Sequence, residues 1–131
     1  MVTTGQSTAV FVVERDVHVR RFLAEFLLAA GCTPHFLDDG YKALDLARRG
    51  APALLITEIL VPRLDGLTLC RLVKADAATQ ETKVMVLSVL AAEARSLLAG
   101  ADRFMQKPIE RNAFIDVVRH LVAPQTEEAV P

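Results

Sequence analysis

The feature that most constrains this chain is a regular alternation of short apolar, β-branched runs with longer amphipathic segments. Ala9–Val13 (AVFVV), Ala53–Thr57 (ALLIT) and Lys83–Ser88 (KVMVLS) are each nearly continuous in apolar residues. Such runs suit strands covered on both faces, as in a parallel sheet. After the first, Asp16 is placed to cap a helix with apolar positions at Val19, Phe22, Leu23, Phe26, Leu27 and Ala30, ended by Gly31. Thr33–Leu37 predicts a second strand, which Pro34 confines to a sheet edge. Gly40–Arg49 predicts the second helix, stopped by Gly50, and Gly66–Ala75 the third, after a loop holding Pro62. A polar loop, Asp76–Thr82, leads to the fourth strand. Ala91–Ala99 predicts a short fourth helix closed by Gly100, and Arg103–Gln106 a weakly marked fifth strand. Ile109–Val122 predicts the last helix, striped at Phe114, Val117, Val118 and Leu121.

Five βα units in succession predict an α/β fold: a doubly wound parallel sheet with helices on both faces. A length of 131 residues, 52% apolar, fits one domain with an ample core. That domain is expected over 9–123, between an N-terminal tail (1–8) and a C-terminal tail or start of a linker (124–131).

Several function classes are excluded on chemistry. Fifteen basic against 16 acidic residues, a net charge of −1, argues against a domain that grips nucleic-acid phosphates. No apolar run approaches the length needed to span a bilayer, and Met1–Gln6 lacks the regions of a secretory signal. Cys32 and Cys70 make neither a disulfide framework nor a metal cluster. His18, His35 and His120 fall on different elements without metal-ligand spacing. No P-loop, G-x-G-x-x-G or nucleophile elbow is present. The expectation is a cytoplasmic, non-enzymatic domain with no membrane or direct nucleic-acid partner.

In a doubly wound sheet, function sits beyond the carboxyl ends of the strands. The residues there are Glu14-Arg15-Asp16 after the first strand, Glu58 after the third, Ser88 after the fourth and Lys107-Pro108 after the fifth. With VFVVER at 10–15, LLITEILVPRLDG at 54–66, VMVLS at 84–88 and AGADRFMQKP at 99–108, the chain resembles the receiver domain of bacterial two-component response regulators. The resemblance covers nearly the whole chain. It implies a flavodoxin-like (βα)5 fold with strand order 2-1-3-4-5. It also implies an acidic pair and a phosphoacceptor aspartate that hold Mg²⁺ and take a phosphoryl group from a histidine kinase.

Carried over position by position, the pattern is broken. Glu14 stands at the first acidic position, but Arg15 stands where the resemblance expects the main metal-binding aspartate. Glu58 stands at the phosphoacceptor, its register fixed by Pro62 and Asp65-Gly66. Ser88 matches the hydroxyl position, Phe104 the aromatic switch, and Lys107-Pro108 the lysine and its proline, joined in such proteins by a cis bond. The stretch from Ser88 to Gly100 is shorter than in most receivers by roughly one helical turn.

The chain therefore reads as a degenerate, or pseudo-receiver, domain. A guanidinium at position 15 repels a divalent cation that wants clustered oxygen ligands, so no specific Mg²⁺ site, and no other cofactor, is expected. Arg15 is expected instead to take the ion's place and pair with Glu58 or Glu14, giving a formal sum of zero with Lys107. The extra methylene of Glu58, roughly 1.5 Å, misplaces its carboxylate for in-line transfer. Glu58 then has two readings: a member of a structural salt-bridge cluster, which is preferred, or an imitation of phosphoaspartate, although a carboxylate lacks the charge and third oxygen of a phosphate. Ser88 is expected to satisfy a local backbone group and Phe104 to belong to the core. Function would run through protein partners, a histidine kinase or an output protein, at the fourth helix, fifth strand and fifth helix. A homodimer is one assembly open to that face. The alternatives are a phosphoacceptor using Glu58, Thr57 or Asp65, and a small-ligand sensor.

Overall fold

A computed structural model describes residues 7–124. The elements alternate: β1 (Thr8–Val13), α1 (Val17–Ala29), β2 (Cys32–Leu37), α2 (Gly40–Arg49), β3 (Leu54–Glu58), α3 (Gly66–Ala75), β4 (Lys83–Ser88), α4 (Glu93–Leu98), β5 (Arg103–Gln106) and α5 (Arg111–Val122). All strand pairings are parallel and the order is β2-β1-β3-β4-β5, the flavodoxin-like arrangement. β2 is an edge strand, as Pro34 requires.

Alternation along each strand divides the core in two. Val10, Val12, Leu54, Ile56, Met85 and Leu87 face α1 and α5, where they pack on Leu23, Leu27 and Phe114. Val13, Leu55, Val84 and Val86 face the other way, onto Ala43, Leu67, Leu69 and Val73. The central strand β3 is buried at every position, which explains its apolar run Leu54–Ile56, with Thr57 and Glu58 buried at the end that meets the rim.

The ends of the elements follow from capping. Asp16 Oδ1 accepts from the His18 and Val19 N–H groups at 2.8 and 3.2 Å, as its position predicts. Several expected boundaries move: β2 opens one residue earlier, at Cys32, and β3 runs one residue later, over Leu54–Glu58. Thr8, expected in the N-terminal tail, opens β1, and its N–H donates to the Gly31 carbonyl. α4 keeps only Glu93–Leu98, because Ala91 and Ala92 provide no side-chain cap. α5 starts at Arg111, since Glu110 accepts from Asn112 and Ala113 and so stands outside as the cap. The remaining tail expectations, at 1–6 and 125–131, lie outside the described residues.

Phe22, expected in the buried stripe of α1, is 57% exposed. The stripe is narrower than the sequence suggests, and Phe22 stacks on Phe26 at its border. Two glycines clamp the loop after β3. A Cβ on Gly66 would come within 2.2 Å of the Glu58 carbonyl oxygen, and one on Gly40 within 2.2 Å of that of Leu64. Close backbone approach, not turn geometry, requires glycine at both.

Candidate functional site

Parallel register brings the strand ends to one rim. Val13 pairs with Thr57, Glu58 with Leu87 and Ser88 with Gln106, so Glu14, Glu58, Ser88 and Lys107 arrive side by side. The backbone fixes two of them further: Glu14 N–H donates to the Leu37 carbonyl, and Lys107 N–H to that of Ser88 at 2.8 Å.

Lys107 Nζ donates to Glu14 Oε1 and to Glu58 Oε1, each at 2.8 Å. The three side chains are only 12%, 6% and 9% exposed. The outer oxygens are occupied as well. Glu58 Oε2 accepts from the backbone N–H groups of Ile59 at 2.6 Å and Leu60 at 3.2 Å. Glu14 Oε2 accepts from the Asp16 N–H at 3.0 Å. Ser88 Oγ accepts from the Leu90 N–H at 3.2 Å, the local backbone contact expected of it.

Burial pushes the Glu58 carboxyl up, but hydrogen bonds from Lys107, Ser88 and the Leu60 N–H, with the charge of Lys107, outweigh it and hold its pKa below the usual value. Burial likewise opposes the Lys107 charge, and the two carboxylates outweigh it, raising its pKa. Glu58 and Lys107 thus keep each other ionised.

The expected pairing of Arg15 is overturned. Arg15 is exposed and forms no ion pair with Glu14 or Glu58. It borders an open cleft of ≈ 320 Å³ with Asp38, Asp39, Lys42, Pro62 and Arg63. The physical reason is that Lys107 already sits between the two glutamates while backbone amides hold their outer oxygens, so burying a guanidinium there as well would cost desolvation with little pairing left to gain. The buried cluster is therefore two carboxylates and one ammonium, a formal −1 and not the expected zero.

The donor set does not suit a resident Mg²⁺. Among the described residues no three His, Cys, Asp or Glu side chains converge on a point that could hold a metal. The two rim glutamates instead turn inward on an ammonium, whereas Mg²⁺ needs near-octahedral oxygen ligands.

The other expected residues are placed as follows. Phe104 is half-buried against the core and borders an opening near Ala91 and Gln106. The Lys107-Pro108 bond is cis. Thr57 is fully buried and donates to the Glu58 carbonyl, and Asp65 caps α3. Cys32 and Cys70 are buried and free, with the Cys70 thiol pushed up to about 11 by burial. His18, His35 and His120 are exposed.

Sequence reasoning missed the amides of Ile59 and Leu60 as donors, since backbone groups leave no side-chain signature. It also missed Arg63, a non-glycine residue at φ 71 whose guanidinium lies 5.3 Å from the Tyr41 ring. An apolar pocket of ≈ 180 Å³ between Phe22 and Pro108-Ile109 was missed too, because the helical stripe assigns Phe22 to the core.

Residues 10–119 match the family described as the response regulator receiver domain. The chain belongs to that family. It is a receiver domain, a signalling module. Among curated proteins it is 28% identical over 113 residues to Protein PilG of Pseudomonas aeruginosa, covering 84% of each chain. It is also 28% identical over 116 residues to the response regulator MprA of Mycobacterium leprae, of which it spans only 50%. Among solved structures it resembles the receiver domain of a signal transduction histidine kinase from Syntrophus aciditrophicus, with a TM-score of 0.82 and 26% identity over 95% of this chain and 98% of that one. It shares its fold with the receiver domain of the sensor histidine kinase PA1611 from P. aeruginosa, which holds a magnesium ion in its active-site cleft. That likeness has a TM-score of 0.81 and 19% identity, covering 91% of this chain and all of that one. Among the described residues, no helix is long and apolar enough to cross a membrane.

Proposed function

We propose that this receiver is a pseudo-receiver: a protein-docking module of signal transduction that neither accepts a phosphoryl group nor binds Mg²⁺ specifically, and that has no catalytic activity of its own. One observation carries the reading. Both oxygens of Glu58, the residue at the acceptor position, are held by Lys107 and two backbone amides within a buried cluster. A carboxylate held in place by three donors, and one methylene longer than aspartate, is a weakened and misplaced nucleophile for in-line transfer. Without a metal, the charge on a transferring phosphoryl group also goes unneutralised. The alternative acceptors are equally committed, Thr57 to a carbonyl and Asp65 to a helix cap.

Its partners are proteins, a histidine kinase or an output protein. The α4–β5–α5 face is one candidate surface; there Leu97 and Leu98 are exposed on the shortened α4. The test is incubation with a small phosphodonor and Mg²⁺, followed by intact mass. An unchanged mass is expected; a stoichiometric gain of one phosphoryl group overturns the proposal.

A second reading concerns the state in which the domain is held. Glu58 collects an ammonium and two backbone amides, a donor set suited to a larger anion. On this reading Glu58 keeps the rim in one permanent, anion-filled state. Glu58→Gln should then weaken partner binding, and an unchanged affinity rejects it.

A further inference from the structure

Phe22 opens a run of aromatic rings that the fold leaves uncapped. Its ring stacks on Phe26 at 6.2 Å, and Phe26 lies 6.0 Å from Phe114 in the core, yet Phe22 is 57% exposed. Beside it an apolar cavity of ≈ 180 Å³ lies between two elements. Val19, Phe22 and Leu23 of α1 form one wall, and Lys107, Pro108 and Ile109 of the β5–α5 loop form the other. Lys107 gives its ammonium to Glu14 and Glu58, so what it adds to the wall is its methylene stem.

Size and surroundings select the occupant of this cavity. Apolar cavities of about 150 Å³ lined by Leu, Ile and Phe stay dry and take up benzene. The volume beside Phe22 suits a single or fused ring and is too small for a peptide segment. Nor does the apolar surface continue around it. Glu25 and His18, three positions after and four before Phe22 on the same helix face, are exposed, as are Glu110 and Arg111 beyond Ile109. Val17 and Leu28, the other exposed large apolar residues of α1, stand five and six positions from Phe22 and face elsewhere. A protein interface of standard size needs about 800 Å² on each partner with an apolar centre, which this charged border does not provide. A charged ligand would lose its hydration against walls of side-chain carbon.

We propose that this cavity is a binding site for a small, neutral, planar aromatic molecule. The ring enters between α1 and the β5–α5 loop and extends the run of rings formed by Phe114, Phe26 and Phe22. Covering the open side of Phe22 supplies the driving force. The site stands on its own geometry and is independent of whether Glu58 accepts a phosphoryl group. Because the Lys107 stem is part of the wall, occupancy is felt by the residue that ties Glu14 to Glu58.

The experiment titrates the full chain, labelled with ¹³C and ¹⁵N, with indole and follows side-chain resonances. Saturable shifts of the Val19, Leu23 and Ile109 methyls are expected, with nuclear Overhauser contacts from indole protons to them. The Lys107 methylenes should shift in parallel. Val19→Phe, which fills the cavity, should abolish binding. Phe22→Ala, at an exposed position, should weaken it, and decides the matter if Val19→Phe does not fold. Benzoate tests whether charge is tolerated, and N-acetyltryptophanamide whether the ring arrives on a polypeptide. No saturation, Lys107 unmoved at saturation, contacts only to other methyls, or undiminished binding in the folded variants overturns the proposal. So does benzoate binding as tightly as indole. Tighter binding of N-acetyltryptophanamide than of indole overturns it too, by assigning the cavity to a partner's side chain.

Discussion

Lys107 Nζ lies 2.8 Å from Glu58 Oε1, although the two residues leave strands that are not neighbours. The lysine follows β5 and Glu58 ends β3, so the side chain crosses the end of β4 and then meets Glu14 after β1 as well. A single ammonium thus ties three strand ends together in a nearly dry setting. Its removal and its neutralisation should have different consequences.

Lys107→Met leaves Glu14 and Glu58 as uncompensated buried carboxylates and should destabilise the fold by about 3–5 kcal/mol. Glu58→Gln keeps Lys107 paired with Glu14 and should cost less, about 1–3 kcal/mol, for the lost charged hydrogen bonds. The double variant should lie well short of the summed losses, because the groups act as one cluster. Urea unfolding of all four proteins measures this; additive losses would show that the contact carries no coupling.

The pH dependence follows from the same cluster. Glu58 has its pKa lowered from 4.5, so its stabilisation is present above that value and lost as pH falls through the lower folded value. Lys107 has its pKa raised from 10.5, so its stabilisation is present below that value and lost as pH climbs through the higher folded one. Neither group gives stability a slope between the two ordinary values. In Glu58→Gln, unfolding midpoints measured from neutral pH downward should fall less steeply with acid than in the unaltered chain.

The fold was legible because its central strands are buried on both faces and therefore nearly continuous in apolar residues, as in ALLIT and KVMVLS. Strand order and the rim positions of Glu14, Glu58 and Lys107 followed from the resemblance, which supplies long-range pairings that periodicity cannot. Arg15 was misplaced because the charge count assigned the guanidinium to the glutamates without knowing that backbone amides had already claimed their oxygens. Phe22 was misplaced because a helical stripe gives a face, not the width of the surface that covers it.

If the site lacks chemistry because of positions 15 and 58, restoring both should restore it. Glu58→Asp alone shortens the side chain but leaves a guanidinium beside the cleft and supplies no third carboxylate. Its expected mass after phosphodonor and Mg²⁺ is unchanged. Arg15→Asp combined with Glu58→Asp adds two aspartate carboxylates to that of Glu14 on adjacent strand ends, an oxygen set suited to a hard cation. That double variant should bind Mg²⁺ by calorimetry and gain one phosphoryl group. A double variant that binds no Mg²⁺ would locate the defect elsewhere on the rim.

Ser96 tests the shortened α4 independently. Its Oγ is fully buried and, among the described residues, has no hydrogen-bond partner. Its backbone bonds to Ala92, Ala99 and Ala101, which are themselves buried in the apolar core between α4 and the sheet. An unsatisfied buried hydroxyl costs about 1–3 kcal/mol, and its deletion leaves only a very small void. Ser96→Ala should therefore stabilise the domain by roughly 1 kcal/mol, because alanine also favours the helix. Ser96→Val, which adds volume where alanines pack closely, should lose that gain. Thermal melts of the two variants beside the unaltered chain decide it: a lower melting temperature for Ser96→Ala would mean that the hydroxyl has a stabilising partner after all.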